Sequence, residues 1–184
     1  MSELKVLADP TADERPEADL RAQVSGVECK GGHLNDPSVN YCCVCGISML
    51  QSPRRPATGP RPQLGVLVFD NGMTVSVRQD LVLGRTPEVD GTVQAGSSGG
   101  VRLVDPLVDG RHAKVELDGW RVRLVDLGSA TGTLYCGPDE SSWTRLASRS
   151  SVELEPGGSA AFGRCVVTYY SHRDAGVLRN RFAA

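Results

Sequence analysis

Residues 113–124 read AKVELDGWRVRL, and this stretch decides the fold class. Residues 113–118 alternate apolar and charged side chains, and residues 120–124 alternate in the same way after the turn pair Asp118-Gly119. A period of two puts successive side chains on opposite faces of a strand, and an Asp-Gly pair favours a tight hairpin turn. The stretch therefore predicts a β-hairpin with one buried face.

Short strands of this kind recur on both sides of the hairpin. The apolar run 65–69 ends at the turn signal Asp70-Asn71-Gly72, and no helix-period segment interrupts the region. Many short strands with frequent turns are typical of a sandwich or barrel. The pattern predicts an all-β, antiparallel β-sandwich of about ten or eleven strands, without separating one kind of sandwich from another. The clearest strands are 65–69, 73–77, 81–83, 113–118, 120–124, 152–155 and 166–170.

Composition divides the chain into five segments. The acidic residues 1–26 predict a disordered tail, and residues 173–184 a second tail. Cysteine and histidine crowd into residues 27–50. Residues 51–63 (QSPRRPATGPRPQ) hold four prolines and three arginines, which predicts an extended linker before the sandwich at 64–172.

Charge and hydropathy restrict the setting in which the chain works. A formal net charge of -2 argues against nucleic-acid binding through general electrostatics. No run approaches the roughly 20 apolar residues that cross a bilayer, so no membrane insertion is expected. The N-terminus lacks an apolar secretory region, which predicts a cytoplasmic protein with reduced thiols. Arginine far outnumbers lysine, as in proteins of GC-rich bacteria.

The cysteine and histidine spacing is that of a metal site. Cys29-x3-His33 is followed by Cys42-x2-Cys45, and Gly46 then permits a turn with positive φ. Zinc takes four tetrahedral thiolate and imidazole ligands, and closely spaced pairs let one turn supply two. A segment with so few apolar residues also needs a cross-link. These four residues predict a structural Zn²⁺ site without an open position.

Other interpretations of the cluster stay open from sequence alone. The thiols could form a disulfide or remain free, and Cys43 or Asp36 could replace His33 as fourth ligand. The segment resembles short zinc-ribbon-like modules that precede bacterial signalling domains. Cys136 and Cys165 lie in the sandwich region, where cysteine usually serves as a small core hydrophobe.

Three further stretches occur in a characteristic order. They are Leu83-Gly84-Arg85, then VDGRHA at 108–113, then DLGSATGT at 126–133. Over about 110 residues this combination resembles the forkhead-associated (FHA) family. The resemblance implies a β-sandwich that binds phosphothreonine on other proteins through loops at one end. It implies no catalysis.

The resemblance also assigns roles to single residues. Arg85 matches the arginine that contacts phosphate, and a guanidinium suits a dianion. His112 matches a histidine that braces the loops, and Gly132 a glycine in the turn that joins them. The phosphopeptide-binding set carried over is Arg85, Asp109, Gly110, Arg111, Ala130 and Thr131, with structural support from Gly84, His112 and Gly132.

The chain departs from the family pattern at three of these positions. Asp109 replaces the phosphate-binding serine, Gly110 a basic or amide residue, and Thr131 the asparagine that holds the peptide backbone beyond the phosphate. A carboxylate about 4 Å from a phosphate charge costs roughly 4 kcal/mol at an effective dielectric of about 20. A hydrogen bond to a charged group stabilises a complex by only about 1.5–3 kcal/mol. Asp109 is thus expected to weaken phosphate binding, or to pair with Arg85 and close the site.

Two hypotheses about function follow. One is phosphothreonine-dependent docking of a partner protein in Ser/Thr kinase signalling; the other is a degenerate FHA domain that docks a partner without phosphate as an assembly subunit. A hydrolase is disfavoured because only His112 and His172 lie outside the zinc cluster, and neither has a recognisable motif. In the loop between Thr86 and Gly100, Ser97 or Ser98 could supply a replacement donor, or the loop is a simple insertion.

Overall fold

The computed structural model describes residues 22–50, 53–87 and 99–171. These ranges hold fourteen strands and no helix, and accordingly no helix that could span a membrane. The predicted tails are therefore outside the described residues, except for the end of the first. The strands are β1 Gln23–Glu28, β2 Leu34–Asn35, β3 Arg55–Pro60, β4 Gly65–Phe69, β5 Thr74–Val77, β6 Leu81–Gly84, β7 Gly99–Arg102, β8 Ala113–Asp118, β9 Arg121–Asp126, β10 Thr133–Cys136, β11 Thr144–Arg145, β12 Ser151–Glu153, β13 Ser159–Phe162 and β14 Cys165–Tyr170.

Strands β4–β14 form the predicted sandwich. One sheet has the order β11-β10-β13-β14-β4-β5 and the other the order β12-β9-β8-β6-β7. All pairs are antiparallel except β6 with β7, which is parallel. The inward faces of both sheets supply one core, with Leu67, Leu83, Leu124 and Phe162 among its fully buried side chains. The all-β sandwich prediction is confirmed, and β8 and β9 are the hairpin expected at 113–124.

A third, smaller sheet contradicts the predicted linker. It has the order β2-β1-β3, and all six residues of β3 pair with β1, from Gln23↔Pro60 to Glu28↔Arg55. The predictions of a disordered tail up to residue 26 and of an extended linker at 51–63 are therefore wrong for the described residues, which form β1 and β3 there. Proline is tolerated in β3 because this strand lies at a sheet edge, where a missing N–H need not break a ladder bond.

The small sheet packs on the turn between β8 and β9. The Trp120 indole Nε1–H donates to the Ser25 carbonyl over 2.8 Å. Arg61 is only 6% exposed and donates from Nη1 to the Leu117 carbonyl over 3.1 Å and the Gly119 carbonyl over 3.4 Å. Residues 22–61 are therefore attached to the sandwich by specific contacts, at the β8–β9 turn.

Gly26 allows the two parts to approach closely, and we expect Gly26→Val to separate them. A β-carbon at Gly26 would overlap the Asn35 carbonyl and lie 2.8 Å from the Trp120 ring. Such overpacking typically costs about 1–3 kcal/mol. We expect a lower denaturation midpoint of the small sheet and a red shift of Trp120 fluorescence. Gly59→Val is the control, since a β-carbon there makes an ordinary 3.5 Å contact with Leu34. Equal behaviour of the two variants would contradict the prediction.

Candidate functional site

The structure brings the four predicted metal ligands together. The ligand atoms of Cys29, His33, Cys42 and Cys45 all lie within 4.8 Å of one another. The Cys29 and Cys45 sulfurs are 3.8 Å apart. His33 Nδ1 lies 3.5 Å from the Cys29 sulfur and 3.7 Å from the Cys42 sulfur. The group is compact enough to hold one metal ion.

These distances fit tetrahedral zinc. Zn–S bonds of about 2.3 Å and Zn–N bonds of about 2.0–2.1 Å give tetrahedral edges of roughly 3.8 Å between sulfurs and roughly 3.5 Å between sulfur and nitrogen. The observed separations lie close to both values. A disulfide needs sulfurs at about 2.05 Å, and all six cysteines are free thiols. The disulfide alternative is therefore wrong.

Two short turns build the cluster. The Gly32 N–H donates to the Cys29 carbonyl over 3.0 Å, and the Gly46 N–H to the Cys42 carbonyl over 2.9 Å. Gly46 has the positive φ that its position predicted, at 69°. Within the second turn the Val44 N–H also points at the Cys42 sulfur, over 3.4 Å. Each turn thus presents a ligand sulfur.

The surroundings of Cys42 favour its thiolate. Burial by itself raises the pKa of this thiol, but hydrogen bonds from the N–H groups of Cys45 and Val44 and from the Asn35 amide lower the pKa to about 6. Thiolate is the form of cysteine that binds metals. Asn35 is fully buried and reaches the Cys42 sulfur over 3.5 Å, so it supports the ligand from outside the cluster.

The other candidate ligands point elsewhere. The Cys43 thiol donates to Asn35 Oδ1 over 3.1 Å. The Asp36 carboxylate accepts from the N–H and hydroxyl of Ser38, both over 2.8 Å. Neither Cys43 nor Asp36 belongs to the four-residue group. The structure thus favours His33 as the fourth ligand.

The apolar core around the cluster is small. It consists of Val27, Cys29, Cys42 and Met49, with Val39 packed against them. Of the other large apolar residues of this segment, Leu34 is half-buried, and Tyr41, Val44, Ile47 and Leu50 are exposed. Burial of so little apolar surface offsets only part of the chain entropy lost on ordering. The module thus depends on the cluster for its stability.

The second candidate site lies at one end of the sandwich, where the three motif loops meet. The Arg85 N–H donates to the Asp109 carbonyl over 2.8 Å, and the Thr86 N–H to the Gly110 carbonyl over 3.1 Å. This approach requires Gly84, because a β-carbon there would overlap the Gly110 carbonyl. Residues far apart in sequence therefore form one loop surface.

His112 holds two of these loops from inside. It is fully buried, with its ring edge toward Phe162 at a centroid distance of 5.6 Å. Nδ1 accepts the Asp109 N–H over 3.2 Å, which leaves Nε2–H to donate to the Gly132 carbonyl over 3.2 Å. Both ring nitrogens are engaged in bonds between the loops, which fits the bracing role that the resemblance implies.

Asp126 is the first residue of the third motif and organises that loop, a role that the sequence alone does not predict. Its carboxylate accepts hydrogen bonds from the Ser129 hydroxyl over 2.6 Å, the Thr133 hydroxyl over 2.8 Å and the Gly128 N–H over 2.8 Å. Burial raises the pKa of Asp126, but these donors and the Arg149 N–H outweigh it and lower the pKa. The loop that carries Ala130 and Thr131 is thereby fixed.

The substituted positions are engaged within the protein. Asp109 Oδ2 accepts the Ala130 N–H over 2.6 Å, and the Thr131 hydroxyl donates to the Leu107 carbonyl over 2.8 Å. Within residues 22–50, 53–87 and 99–171, no ion pair joins Asp109 to Arg85, so the predicted closing pair is not formed. Arg85 and Arg111 are both exposed at this end. The predicted Ser97 and Ser98 lie outside the described residues.

The sandwich is similar to known domains. The family model described as "FHA domain" matches residues 81–163. No curated protein matches the chain. One similar structure is the FHA domain of human APLF in complex with an XRCC1 bisphospho peptide, with 20% identity over 59% of this chain and 98% of that chain and a TM-score of 0.45. Another is the FHA domain of CT664 from Chlamydia trachomatis, with 17% identity over 59% of this chain and 97% of that chain and a TM-score of 0.45.

Proposed function

We propose that this chain, which contains an FHA domain over residues 81–163, is a non-catalytic adaptor that binds a threonine-phosphorylated segment of a partner protein. FHA domains are interaction modules. The proposed contact set is the one carried over by resemblance: Arg85, Asp109, Gly110, Arg111, Ala130 and Thr131, supported by Gly84, His112 and Gly132.

The observation that carries the proposal is the position of Arg85. Its backbone is tied to Asp109 through the bond from its N–H, while its side chain is exposed at the loop end. A phosphate dianion is best bound by a guanidinium combined with neutral donors. Arg111 adds a second exposed guanidinium on the neighbouring loop. Together they provide the positive charge that a phosphopeptide needs.

A degenerate, phosphate-independent domain is the second candidate, and one observation favours it. The Asp109 carboxylate already occupies the Ala130 N–H, so that donor is not free for phosphate. A ligand without phosphate would suffer no repulsion from this carboxylate.

The metal cluster is proposed to hold one structural zinc through Cys29, His33, Cys42 and Cys45. Four protein ligands complete a tetrahedron and leave no position for water or substrate. The free thiols are consistent with a reducing compartment. From the family resemblance we further propose a role in signalling by Ser/Thr kinases, in a bacterial cytoplasm.

Phosphate dependence is tested with matched peptide libraries that differ only in phosphorylation of a central threonine. We expect the full chain to bind the phosphorylated library preferentially, and Arg85→Ala to reduce that binding at least tenfold, since a charge-assisted hydrogen bond contributes about 1.5–3 kcal/mol. Arg121→Ala is the control for general charge, since Arg121 is an exposed arginine at the start of β9, at the opposite end of that strand from the motif loops. Equal binding of both libraries would favour the phosphate-independent alternative.

A further inference from the structure

Arg145 is held at a defined place beside the loop end. Strand β11 pairs Arg145 with Leu134 of β10, and the next residue, Leu146, donates its N–H to the Thr133 carbonyl over 2.9 Å. These bonds fix the backbone on both sides of Arg145 against β10, the strand that begins directly after the Thr131-Gly132 turn. The side chain must leave β11 next to the proposed peptide-binding loops.

The guanidinium lies flat on Gly132. The place that a β-carbon of Gly132 would take is 2.5 Å from Arg145 Nη2 and 2.6 Å from both Cζ and Nε. Near-equal distances to three guanidinium atoms indicate that the face of the group covers the glycine. Gly132 is consequently buried although its neighbour Thr131 is exposed. Stacking on the glycine leaves the N–H donors of the guanidinium at the rim of that plane.

Arg145 forms no ion pair with a carboxylate in the part of the chain that the structure describes. The ion pairs there involve Lys114 with Asp80 and Glu116, and Arg121 with Glu153. The side chain of Arg145 is exposed. A positioned guanidinium without a carboxylate partner is available for an anion from outside.

Two donors of the loop beside Arg145 are already engaged within the protein. The Thr131 hydroxyl hydrogen is used by the Leu107 carbonyl, and the Ala130 N–H by Asp109. Neither can offer a hydrogen bond to a ligand without first giving up an internal one. Arg145 presents a positioned donor group beside this turn.

We propose that Arg145 forms a second anion-binding position next to the phosphothreonine site, and that it selects partner segments with an acidic side chain on the Thr131 side of the phosphothreonine. This inference rests on the proposed function. The ligand group is an Asp or Glu carboxylate, which a guanidinium binds through two parallel N–H···O bonds. Arg145 would then act as a specificity residue, while Arg85 provides phosphate binding.

The test uses the full chain and phosphothreonine peptides in which Asp, Ala or Lys is placed in turn at several positions on either side of the phosphothreonine. We expect Asp at one position to bind roughly tenfold more tightly than Ala there, as one charge-assisted contact predicts. Arg145→Ala should remove that difference and leave the Ala peptide within about twofold of its original affinity. Arg121→Ala should leave the preference intact.

Charge reversal distinguishes recognition from support of the turn. Arg145→Glu should move the preference at that position from Asp to Lys, an outcome that loss of packing on Gly132 would not produce. Two outcomes would overturn this inference alone. One is that Arg145→Ala weakens the binding of all peptides equally, and the other is that the unaltered chain requires phosphate but shows no preference for an acidic side chain. Equal binding of phosphorylated and unphosphorylated peptides would overturn the proposed function and this inference with it.

Discussion

Removal of the single zinc proposed for each chain is expected to unfold the small sheet and leave the sandwich folded. In small modules, structural zinc contributes an apparent binding free energy of about 10–16 kcal/mol to folding. The apolar core around Cys29 and Cys42 is too small to replace this contribution. Metal analysis should return close to one equivalent. After chelation, amide exchange should rise throughout residues 22–50 and in β3, because β1 is the strand with which β3 pairs among the described residues.

Neighbouring cysteines supply the matched control. Cys42→Ser should lose the metal and the ordered module, whereas Cys43→Ser should keep both, since the Cys43 thiol bonds to Asn35 rather than joining the cluster. Zinc-free protein with a protected β1 and β3 would show that the sheet folds without metal. The sandwich should unfold at nearly the same denaturant concentration in both variants.

Loss of zinc should also change the environment of Trp120 at the β8–β9 turn. Trp120 donates to a carbonyl of β1, so its indole should become more exposed when β1 unfolds. Arg61 follows β3 and is anchored to the sandwich by the Leu117 and Gly119 carbonyls. It should stay in place, and the unfolded module would then remain attached to the sandwich on one side.

The sandwich could be predicted because its signal is local. Alternation and turn residues mark β4, β8 and β9 directly, and the four zinc ligands are marked by their spacing. Strand β3 carries no such signal: its prolines and arginines resemble a linker, and only pairing with β1 makes it a strand. Strand β11 has two exposed residues and no periodicity to detect. Both β3 and β11 are strands because they pair with another strand, and the periodicity of their own residues does not encode this pairing.

The sequence predicted which residues meet in the motif loops at one end of the sandwich, but it did not predict the hydrogen bonds between them. The motifs placed Arg85, Asp109 and Thr131 together, as the structure does. The choice of Ala130 N–H as the partner of Asp109 depends on where two loops meet in space. The contact of Arg145 with Gly132 likewise depends on strand pairing, so no motif includes it.

Asp109→Ser is expected to raise affinity for a phosphothreonine peptide by at least tenfold. The change removes a carboxylate whose repulsion of a phosphate charge amounts to roughly 4 kcal/mol at about 4 Å and an effective dielectric of about 20, less where solvent screens it. It also releases the Ala130 N–H and adds a hydroxyl donor. Binding is measured by titration calorimetry of the full chain with phosphorylated and unphosphorylated forms of one peptide.

Two further variants separate charge from hydrogen bonding at this position. Asp109→Asn keeps an oxygen that can accept the Ala130 N–H but removes the charge, so it should recover most of the gain if repulsion dominates. Arg85→Ala in the Asp109→Ser background should abolish the gain, because the guanidinium is the main cationic contact proposed for the phosphate. Tight, strictly phosphate-dependent binding by the unaltered chain would refute repulsion by Asp109. The bond from Ala130 to Asp109 would then have to open when the phosphate binds.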